Sequence, residues 1–204
     1  MSGDLQVLPK FPNDCVLKTS RLMLRAPEVG DEKRLWPLVS NNQLTTFLSW
    51  EAHRSIKETT DLVANLIDAQ HRGIGFHWLV NNAEETIGLV SLIDVHWKHR
   101  SWVINRAELA YWIGLPFQGS GYATESAAAI MKFGFEKLKL HKIRVYHAAD
   151  NPLSGRTIAK LGFRFVGEEK DAFQKNGTWH HLNHFELLKS EFTQFTDQTF
   201  RMTR

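Results

Sequence analysis

The order of secondary structure over residues 103–149 constrains this fold more than any other feature of the chain. Residues 103–114 alternate apolar and polar side chains, as a strand with one buried face does. An alanine-rich helical pattern covers 122–138, and a second strand pattern, "HKIRVYHAA", covers 141–149. Two strands that follow one another through a helix form a parallel pair with a right-handed crossover. The segment therefore predicts a sheet that contains a central parallel pair.

The segments on either side of this unit predict further strands with helices between them. Asp31 precedes a helical pattern and is a residue type that caps helices, so we expect it at a helix N-terminus. Asn151 precedes Pro152, which is the favoured order of cap and first helical residue. The predicted elements are a strand at 16–26, helices at 31–40 and 56–72, a hairpin around the turn 81–85, a helix that begins after Asn151 and ends at Gly162, and strands at 163–173 and 180–188. This order predicts an α/β (α+β) fold, with a mixed and mostly antiparallel sheet, a central parallel pair and flanking helices.

Length, cysteine content and charge narrow the class of protein. The 204 residues suffice for one domain with a sizeable core. Cys15 is the only cysteine, which excludes an internal disulfide and suits a reducing cytosol. The net charge is +3 and the basic residues are scattered, so we expect no direct nucleic-acid partner. No apolar run reaches the length of a membrane span, and residues 1–11 carry no signal-peptide pattern, so we expect a cytoplasmic protein without a membrane partner.

The glycine turn, which we define as residues 118–124, joins the strand to the helix of the crossover unit. Its sequence is "QGSGYAT", and Gly119 and Gly121 stand where the strand gives way to the helix. Glycines let backbone N–H groups approach a ligand closely, and the first turn of a helix leaves N–H groups unpaired at the positive end of its dipole. The phosphate loop of nucleotide triphosphatases and the three-glycine dinucleotide pattern do not occur in the sequence. By pattern alone, this segment is either a helix-entry turn or an anion site.

Three blocks of sequence carry a resemblance to a known family. In chain order they are "KTSRLMLRAPEVGDEKRL", "AELAYWIGLPFQGSGYATES" and "NPLSGRTIAKLGFRFVGEE". Together they resemble the Gcn5-related N-acetyltransferase (GNAT) superfamily and, within it, the RimJ/RimL-like branch of ribosomal-protein-alanine acetyltransferases. Residues 118–123 match the superfamily's acetyl-CoA signature, Gln/Arg-x-x-Gly-x-Gly/Ala. The likeness predicts a GNAT N-acetyltransferase domain over residues 16–190, between an N-terminal extension, 1–15, and a C-terminal tail, 191–204.

The resemblance implies a GNAT acyl-CoA N-acyltransferase fold and an enzyme that transfers acetyl from acetyl-CoA to a primary amine by direct attack, without a metal. The first expected acceptor is a protein N-terminal α-amine. A small-molecule amine, such as an antibiotic, a polyamine or an amino-acid derivative, stays open as the alternative, because a fold does not determine a substrate. A non-catalytic CoA-binding module is a further alternative, and a homodimer is left open.

The same resemblance assigns cofactor contacts to the glycine turn and to both strands of the parallel pair. The N–H groups of residues 119–124 would hold the CoA pyrophosphate. The strand at Trp112 and Ile113 would present backbone groups to pantetheine, beside a diverging partner strand near His147 and Ala148. The implied cofactor-binding residues are Trp112, Ile113, Gln118, Gly119, Ser120, Gly121, Tyr122, Ala123, Thr124, Asn151 and Ser154.

Two side chains are candidates for the chemistry of acetyl transfer. The family often places a serine near the CoA sulfur, which makes Ser154 the candidate donor to the departing thiolate; otherwise it is a solvated residue of the first helical turn. Some members carry a glutamate before the glycine turn, so Glu108 is the candidate base; otherwise it is a strand residue paired with a nearby Arg or Lys. Glu125 is expected to fix the turn and complement the helix dipole.

Substrate-side residues and metal ligands are harder to assign from sequence. Trp50 lies where the family builds its substrate-side wall and is a candidate substrate contact, with core packing as the alternative. His147 is a second candidate, because an imidazole can accept a proton near neutral pH. His180 and His184 have a metal-like spacing, but on a strand that spacing holds them too far apart for one ion, so we expect no metal site.

Overall fold

An eight-stranded sheet organises the chain in the computed structural model, which describes residues 15–192. Nearly all of the predicted N-terminal extension and most of the predicted tail lie outside the described residues. The strands are β1 (Leu17–Lys18), β2 (Met23–Arg25), β3 (Phe76–Asn81), β4 (Thr86–His99), β5 (Trp102–Ile113), β6 (Lys142–Ala148), β7 (Arg164–Lys175) and β8 (Thr178–Leu188). The helices are α1 (Glu32–Val39), α2 (Ile56–His71), α3 (Tyr122–Glu136) and α4 (Pro152–Lys160), with a short 3-10 helix at Leu115–Phe117.

Strands β5 and β6 form the predicted parallel pair at the centre of the sheet. The strand order is β1-β2-β3-β4-β5-β6-β8-β7, and the other neighbouring pairs of the described sheet are antiparallel. The parallel register covers three residue pairs, of which the last is Glu108 with Arg144. Beyond that pair, β5 continues to Ile113 and β6 to Ala148 without pairing to each other. The two strands diverge, and they leave a gap in the middle of the sheet.

Helices cover both faces of the sheet and divide the core into two clusters. Helices α1 and α2 pack on one face, where Leu35, Val63 and Trp112 belong to the same buried cluster. Helix α3 packs on the opposite face, where Leu109 and Ile130 belong to the larger cluster. Strand β5 contributes to both clusters because successive side chains of a strand point to opposite faces. The predicted alternation of this strand is confirmed.

The N-terminal segment corrects the prediction of one strand at 16–26. It forms a short antiparallel pair instead, with Leu17 opposite Leu24. The chain reverses at residues 19–22, where the N–H of Thr19 donates to the carbonyl of Leu22 over 2.9 Å. The apolar residues at 16–17 and 22–24 suggest one continuous strand, but the polar run at 18–21 between them contains most of the reversal.

Asp31 lies at the N-terminus of α1, as predicted, but its side chain does not cap the helix. Both carboxylate oxygens accept hydrogen bonds from the Arg25 guanidinium, at 2.6 and 2.8 Å. The aspartate is only 2% exposed, so its charge needs this bidentate partner. The carboxylate therefore joins β2 to α1, a contact that helix-capping rules do not predict.

Strands β7 and β8 each extend two residues further toward their shared turn than the sequence patterns indicate. Lys175 pairs with Thr178 across the two-residue turn Asn176–Gly177. Both turn residues have positive φ, 51° and 79°, as the type I′ hairpin turn requires. The Asn-Gly dipeptide was the available sequence signal for this longer hairpin.

Candidate active site

A cleft of about 920 Å³ opens where β5 and β6 diverge. The ends of these strands, the glycine turn and α4 form one part of its lining. The segment 43–51 and the β7–β8 hairpin form the other part. In the described part of the chain, the facing edges of the two strands have no pairing partner beyond Glu108 and Arg144, so backbone polar groups border the cleft. The fold thus brings the glycine turn and both candidate catalytic residues to one site.

The glycine turn presents unbonded N–H groups to this cleft. Gly119 and Gly121 have φ values of 79° and 81°, which side chains other than glycine rarely adopt. Gly121 immediately precedes α3, so the next residues form the first helical turn. Within residues 15–192, no acceptor receives a hydrogen bond from the N–H groups of residues 119–124. A helix N-terminus with free donors and an open backbone approach fits an anion.

Glu125 ties the glycine turn to the chain reversal at residues 19–22. Its carboxylate accepts hydrogen bonds from the hydroxyls of Thr19 and Ser20, at 2.6 and 3.0 Å, and from the N–H and guanidinium of Arg21. Burial raises the pKa of Glu125, but these hydrogen bonds outweigh burial and leave its pKa below the ordinary value. Glu125 therefore holds the turn in place, in agreement with its predicted structural role.

Arg21 supports the glycine turn directly. Its guanidinium donates to the carbonyl of Ser120 over 2.9 Å and lies 4.6 Å above the centre of the Tyr122 ring. These contacts attach the Ser120 carbonyl and the Tyr122 ring to the N-terminal segment. Ser120 is exposed and its carbonyl points to Arg21, whereas Gly119, Gly121, Tyr122, Ala123 and Thr124 line the cleft.

Gln118, Trp112 and Ile113 connect the end of β5 to the turn. The Gln118 side chain donates to the carbonyl of Ile113 over 2.8 Å, and all three residues line the cleft. Trp112 also reaches the core on the α1–α2 face, where it meets Trp50 edge-on at 6.2 Å. The predicted cofactor-binding residues of β5 thus have the position that the sequence assigned to them, and their cofactor contacts stay predictions.

Asn151 and Ser154 begin α4 on the opposite side of the cleft. The predicted cap is confirmed, because the Asn151 side chain accepts a hydrogen bond from the Ser154 N–H at 3.2 Å. The Ser154 hydroxyl lies 2.9 Å from the hydroxyl of Tyr111 on β5. Burial raises the pKa of Tyr111 despite its hydrogen bonds with Ser154 and Thr157, so the phenol keeps its proton. Either hydroxyl can donate in this pair, and when Tyr111 is the donor the serine O–H is free to donate elsewhere.

Glu108 lies at the point where the parallel strands separate. It lines the cleft together with Tyr146. Burial raises the pKa of Glu108, and the positive charge of Arg144 opposes this shift without cancelling it. A carboxylate with a raised pKa holds a proton more strongly than a surface glutamate, which suits a general base.

The two predicted substrate contacts have different surroundings. His147 lines the cleft, but its Nδ1 donates to the carbonyl of Ala148 over 2.7 Å and its ring stacks on Phe185. Trp50 lies behind the wall of the cleft, packed against Trp112 and His53, and Phe47 and Leu48 line the cleft in its place. The role of each in substrate binding stays a prediction.

The histidines of β8 pair with separate carboxylates. His180 lies 3.0 Å from Asp150, and His184 lies 2.9 Å from Glu169. Among residues 15–192, no cluster of three or more His, Cys, Asp or Glu side chains is arranged to hold a metal ion. None of the helices in these residues has the length and apolar character to cross a membrane.

Three basic residues of the cleft were missed by sequence reasoning. Arg156 and Lys160 stand one turn apart on α4 and line the cleft, in the part formed by α4, the glycine turn and the ends of β5 and β6. Lys175 lines the opposite end, beside the segment 43–51. The i,i+4 spacing of the first two was visible in the sequence, but only the fold shows that this helix face borders the cleft.

Comparison with known proteins identifies the family to which this chain belongs. A family model described as "Acetyltransferase (GNAT) domain" matches residues 21–164. The spermidine N(1)-acetyltransferase of Vibrio cholerae serotype O1 is 29% identical over 174 residues, which are 85% of this chain and 96% of that protein. YdaF of Bacillus subtilis, a candidate ribosomal N-acetyltransferase, is 31% identical over 104 residues, which are 51% of this chain and 56% of that protein.

A solved structure agrees with these sequence matches. The spermidine N-acetyltransferase from Vibrio cholerae, in complex with CoA and spermine, has a TM-score of 0.75 and 27% sequence identity, and the match covers 86% of this chain and 99% of that one. The predicted fold class is confirmed by this likeness and by the parallel pair within a mostly antiparallel sheet. The chain belongs to the GNAT acetyltransferase family and is an N-acetyltransferase.

Proposed function

We propose that this enzyme acetylates the N-terminal α-amine of a protein, with acetyl-CoA as the donor. The observation that carries the proposal is the unequal lining of the two ends of the cleft. The part of the cleft formed by the glycine turn and α4, the donor end, offers free N–H groups on the turn and the side chains of Arg156 and Lys160 on the helix. The end at the segment 43–51 and the β7–β8 hairpin is mostly neutral and apolar. An anionic donor and a largely uncharged acceptor chain match these two surfaces.

The donor end fits the phosphates of CoA. The free N–H groups at the start of α3 suit a pyrophosphate, because the helix dipole adds positive potential at the same place. Arg156 and Lys160 supply positive charge for a further phosphate group. The relative from Vibrio cholerae was solved with CoA, which supports the same donor here.

The acceptor end favours a peptide N-terminus over a polyamine. Among the described residues, Glu51 and Glu108 are the carboxylates that line the cleft. A polyamine carries several ammonium groups, and each would need an anionic or strongly polar partner on burial. A protein N-terminus brings one amine followed by neutral amides, which match the neutral polar side chains of Gln43, Thr46 and Gln174.

The pKa of the acceptor amine also favours a protein N-terminus over a polyamine. An α-amine has a pKa of about 7.7–8.0, whereas a lysine-type amine has a pKa of about 10.4. Only a neutral amine can attack the thioester, so an α-amine needs less help from a base. A carboxylate such as Glu108, even with its raised pKa, is a weak base and suits the less basic amine.

In the proposed reaction, the amine nitrogen forms a bond with the acetyl carbon and the bond between that carbon and sulfur breaks. Glu108 accepts the proton that the amine gives up. Ser154 donates a hydrogen bond that stabilises the departing thiolate, and Tyr111, 2.9 Å away, supports the serine hydroxyl from the other side. The thiolate takes up its proton from solvent, and Glu108 releases the proton of the amine to solvent, so that both protons are assigned.

Replacement of Glu108 by glutamine tests the base. We expect Glu108→Gln to lower kcat/KM for the amine by about 100-fold, because the amide cannot take up a proton. In the wild-type enzyme, activity should rise with pH as Glu108 loses its proton, at a pH above the usual carboxyl range because its pKa is raised. The measurement is kcat/KM against pH for both proteins. Ionisation of the α-amine, with a pKa of about 7.7–8.0, gives a limb in both profiles, and the variant should lack only the separate limb at lower pH that belongs to Glu108.

Glu51→Gln is the matched control, since Glu51 lines the mouth of the same cleft and is 69% exposed. The Glu51→Gln enzyme should keep the limb of the pH profile that belongs to Glu108. A Glu108→Gln enzyme with the rate and pH profile of the wild type would remove Glu108 from the role of base.

An acceptor panel tests the proposed substrate. We expect free-amine peptides with varied first residues to be acetylated with kcat/KM about 100-fold above spermidine, spermine or an aminoglycoside, a difference of about 2.7 kcal/mol. Thiol release gives the rate and mass spectrometry locates the acetyl group. The matched control is each peptide with its α-amine blocked and an internal lysine left free. Turnover of a polyamine above every peptide would reject the α-amine and favour the small-molecule alternative.

A further inference from the structure

The hydrogen bonds of Lys175 are not accounted for by the binding of acetyl-CoA or by the proposed reaction. Its ammonium group donates to three backbone carbonyls, those of Thr45 at 2.6 Å, Leu48 at 2.7 Å and Trp50 at 3.0 Å. An ammonium group has three N–H donors, so all three are used within one segment. The side chain is only 9% exposed, and the nearest carboxylate, Glu51, lies 3.5 Å away. A buried lysine directed onto carbonyls is therefore a built contact between distant parts of the chain.

The partner of Lys175 is the segment 43–51, which contains neither helix nor strand. Leu44, Leu48 and Trp50 anchor the segment in the core, but apolar contacts do not fix the direction of backbone groups. Its local backbone bonds span only three residues, such as that from Leu48 N–H to Thr45 carbonyl at 3.0 Å. Lys175 supplies the long-range polar contact, from a residue more than 120 positions away.

The position of Lys175 on its own strand is also well determined. It is the last residue of β7 and pairs with Thr178 across the Asn176–Gly177 turn. The type I′ turn leaves little freedom at this strand end. Phe173 and Gln174, the two residues before it, line the cleft opposite the segment 43–51. One side chain thus joins the two walls of the acceptor end.

We propose that Lys175 is a positioning residue that sets the width and shape of the acceptor end of the cleft. It joins the segment 43–51 to the tip of the β7–β8 hairpin, and it acts on the amine substrate through these walls. The inference rests on the proposed function in one respect, since it takes this end of the cleft to receive the acceptor. Loss of the contact should weaken acceptor binding and leave donor binding intact, because the glycine turn lies at the other end.

Lys175→Met tests the proposal, since methionine keeps much of the apolar length and removes the donors. We expect KM for the acceptor to rise at least about tenfold, because small displacements of a positioning wall have large effects on productive binding. We expect KM for acetyl-CoA to stay within about twofold. Lys175→Arg, which keeps the charge and several donors, should recover part of the acceptor KM. Lys170→Met, at an exposed position of the same strand, is the matched control and should behave as wild type.

Hydrogen exchange supplies a readout that needs no acceptor. In Lys175→Met, peptides from residues 41–55 should exchange faster, and those from residues 150–160 should not change. Wild-type exchange and wild-type acceptor KM would overturn the proposal, as would equal rises in both KM values. If Lys175→Met does not fold, Lys175→Gln carries the same two measurements and the same criteria. If the acceptor panel shows no peptide turnover, the α-amine acceptor is rejected. If hydrogen exchange in Lys175→Met nevertheless shows the expected pattern, the role of Lys175 is retained.

Discussion

Gly121→Glu is expected to abolish detectable acetyl-CoA binding, with a loss of at least about 100-fold in Kd, or about 2.7 kcal/mol. The glutamate would place bulk and negative charge where free N–H groups of the glycine turn face the cleft. Negative charge beside a bound phosphate group would be repelled. Calorimetry with CoA, which needs no acceptor, measures this effect directly.

Gly121→Asn separates the charge from backbone strain. The position has a φ of 81°, so every side chain is strained there, but asparagine tolerates this conformation best. An added β-carbon would meet only the Arg21 guanidinium, at 3.5 Å, which is an ordinary contact. The asparagine variant should therefore fold and lose less than about tenfold in affinity. A folded glutamate variant that binds CoA as the wild type does would reject the anion site at the glycine turn.

Ser154→Ala is expected to lower kcat by about 100-fold while the Kd for acetyl-CoA changes by only a few-fold. The substitution removes the hydroxyl assigned to the departing thiolate. It keeps the backbone N–H that bonds to Asn151, so the helix cap should persist. Single-turnover kinetics with saturating donor, combined with calorimetry, separates the rate from the affinity.

Tyr111→Phe provides the companion measurement. The phenol bonds to the Ser154 hydroxyl over 2.9 Å, so its loss should reduce kcat by less than the loss of the serine itself. Combining the two substitutions should cost little more than Ser154→Ala alone, because residues that act as a unit are not additive. Unchanged kcat in Ser154→Ala would remove this serine from the role of donor.

The crossover unit shows what local patterns can predict. Alternation on β5, the glycines at 119 and 121, and the order Asn151–Pro152 each reflect a rule that acts over a few residues. Strand alternation, positive φ and helix capping all depend on neighbours in the sequence. The parallel pair, the position of the glycine turn and the start of α4 were therefore predictable, together with the fold class.

Side-chain contacts that join different elements of the fold were not predictable in the same way. Asp31 has the residue type and position of a cap, yet its carboxylate bonds to Arg25. The N-terminal strand is interrupted where Glu125 binds residues 19–21, more than 100 positions away in the chain. In each case the fold brings a carboxylate to hydrogen-bond donors that the local sequence pattern does not indicate.

The sequence by itself determined the family, the fold class and the position of the glycine turn at a helix N-terminus, because these depend on local patterns and on motifs in a fixed order. The tertiary structure alone decided how the acceptor end is built. Lys175 reaches the carbonyls of Thr45, Leu48 and Trp50 only because β7 and β8 return to the segment 43–51. Every residue has a backbone carbonyl. The side chains of residues 43–51 therefore do not indicate that this segment binds a lysine.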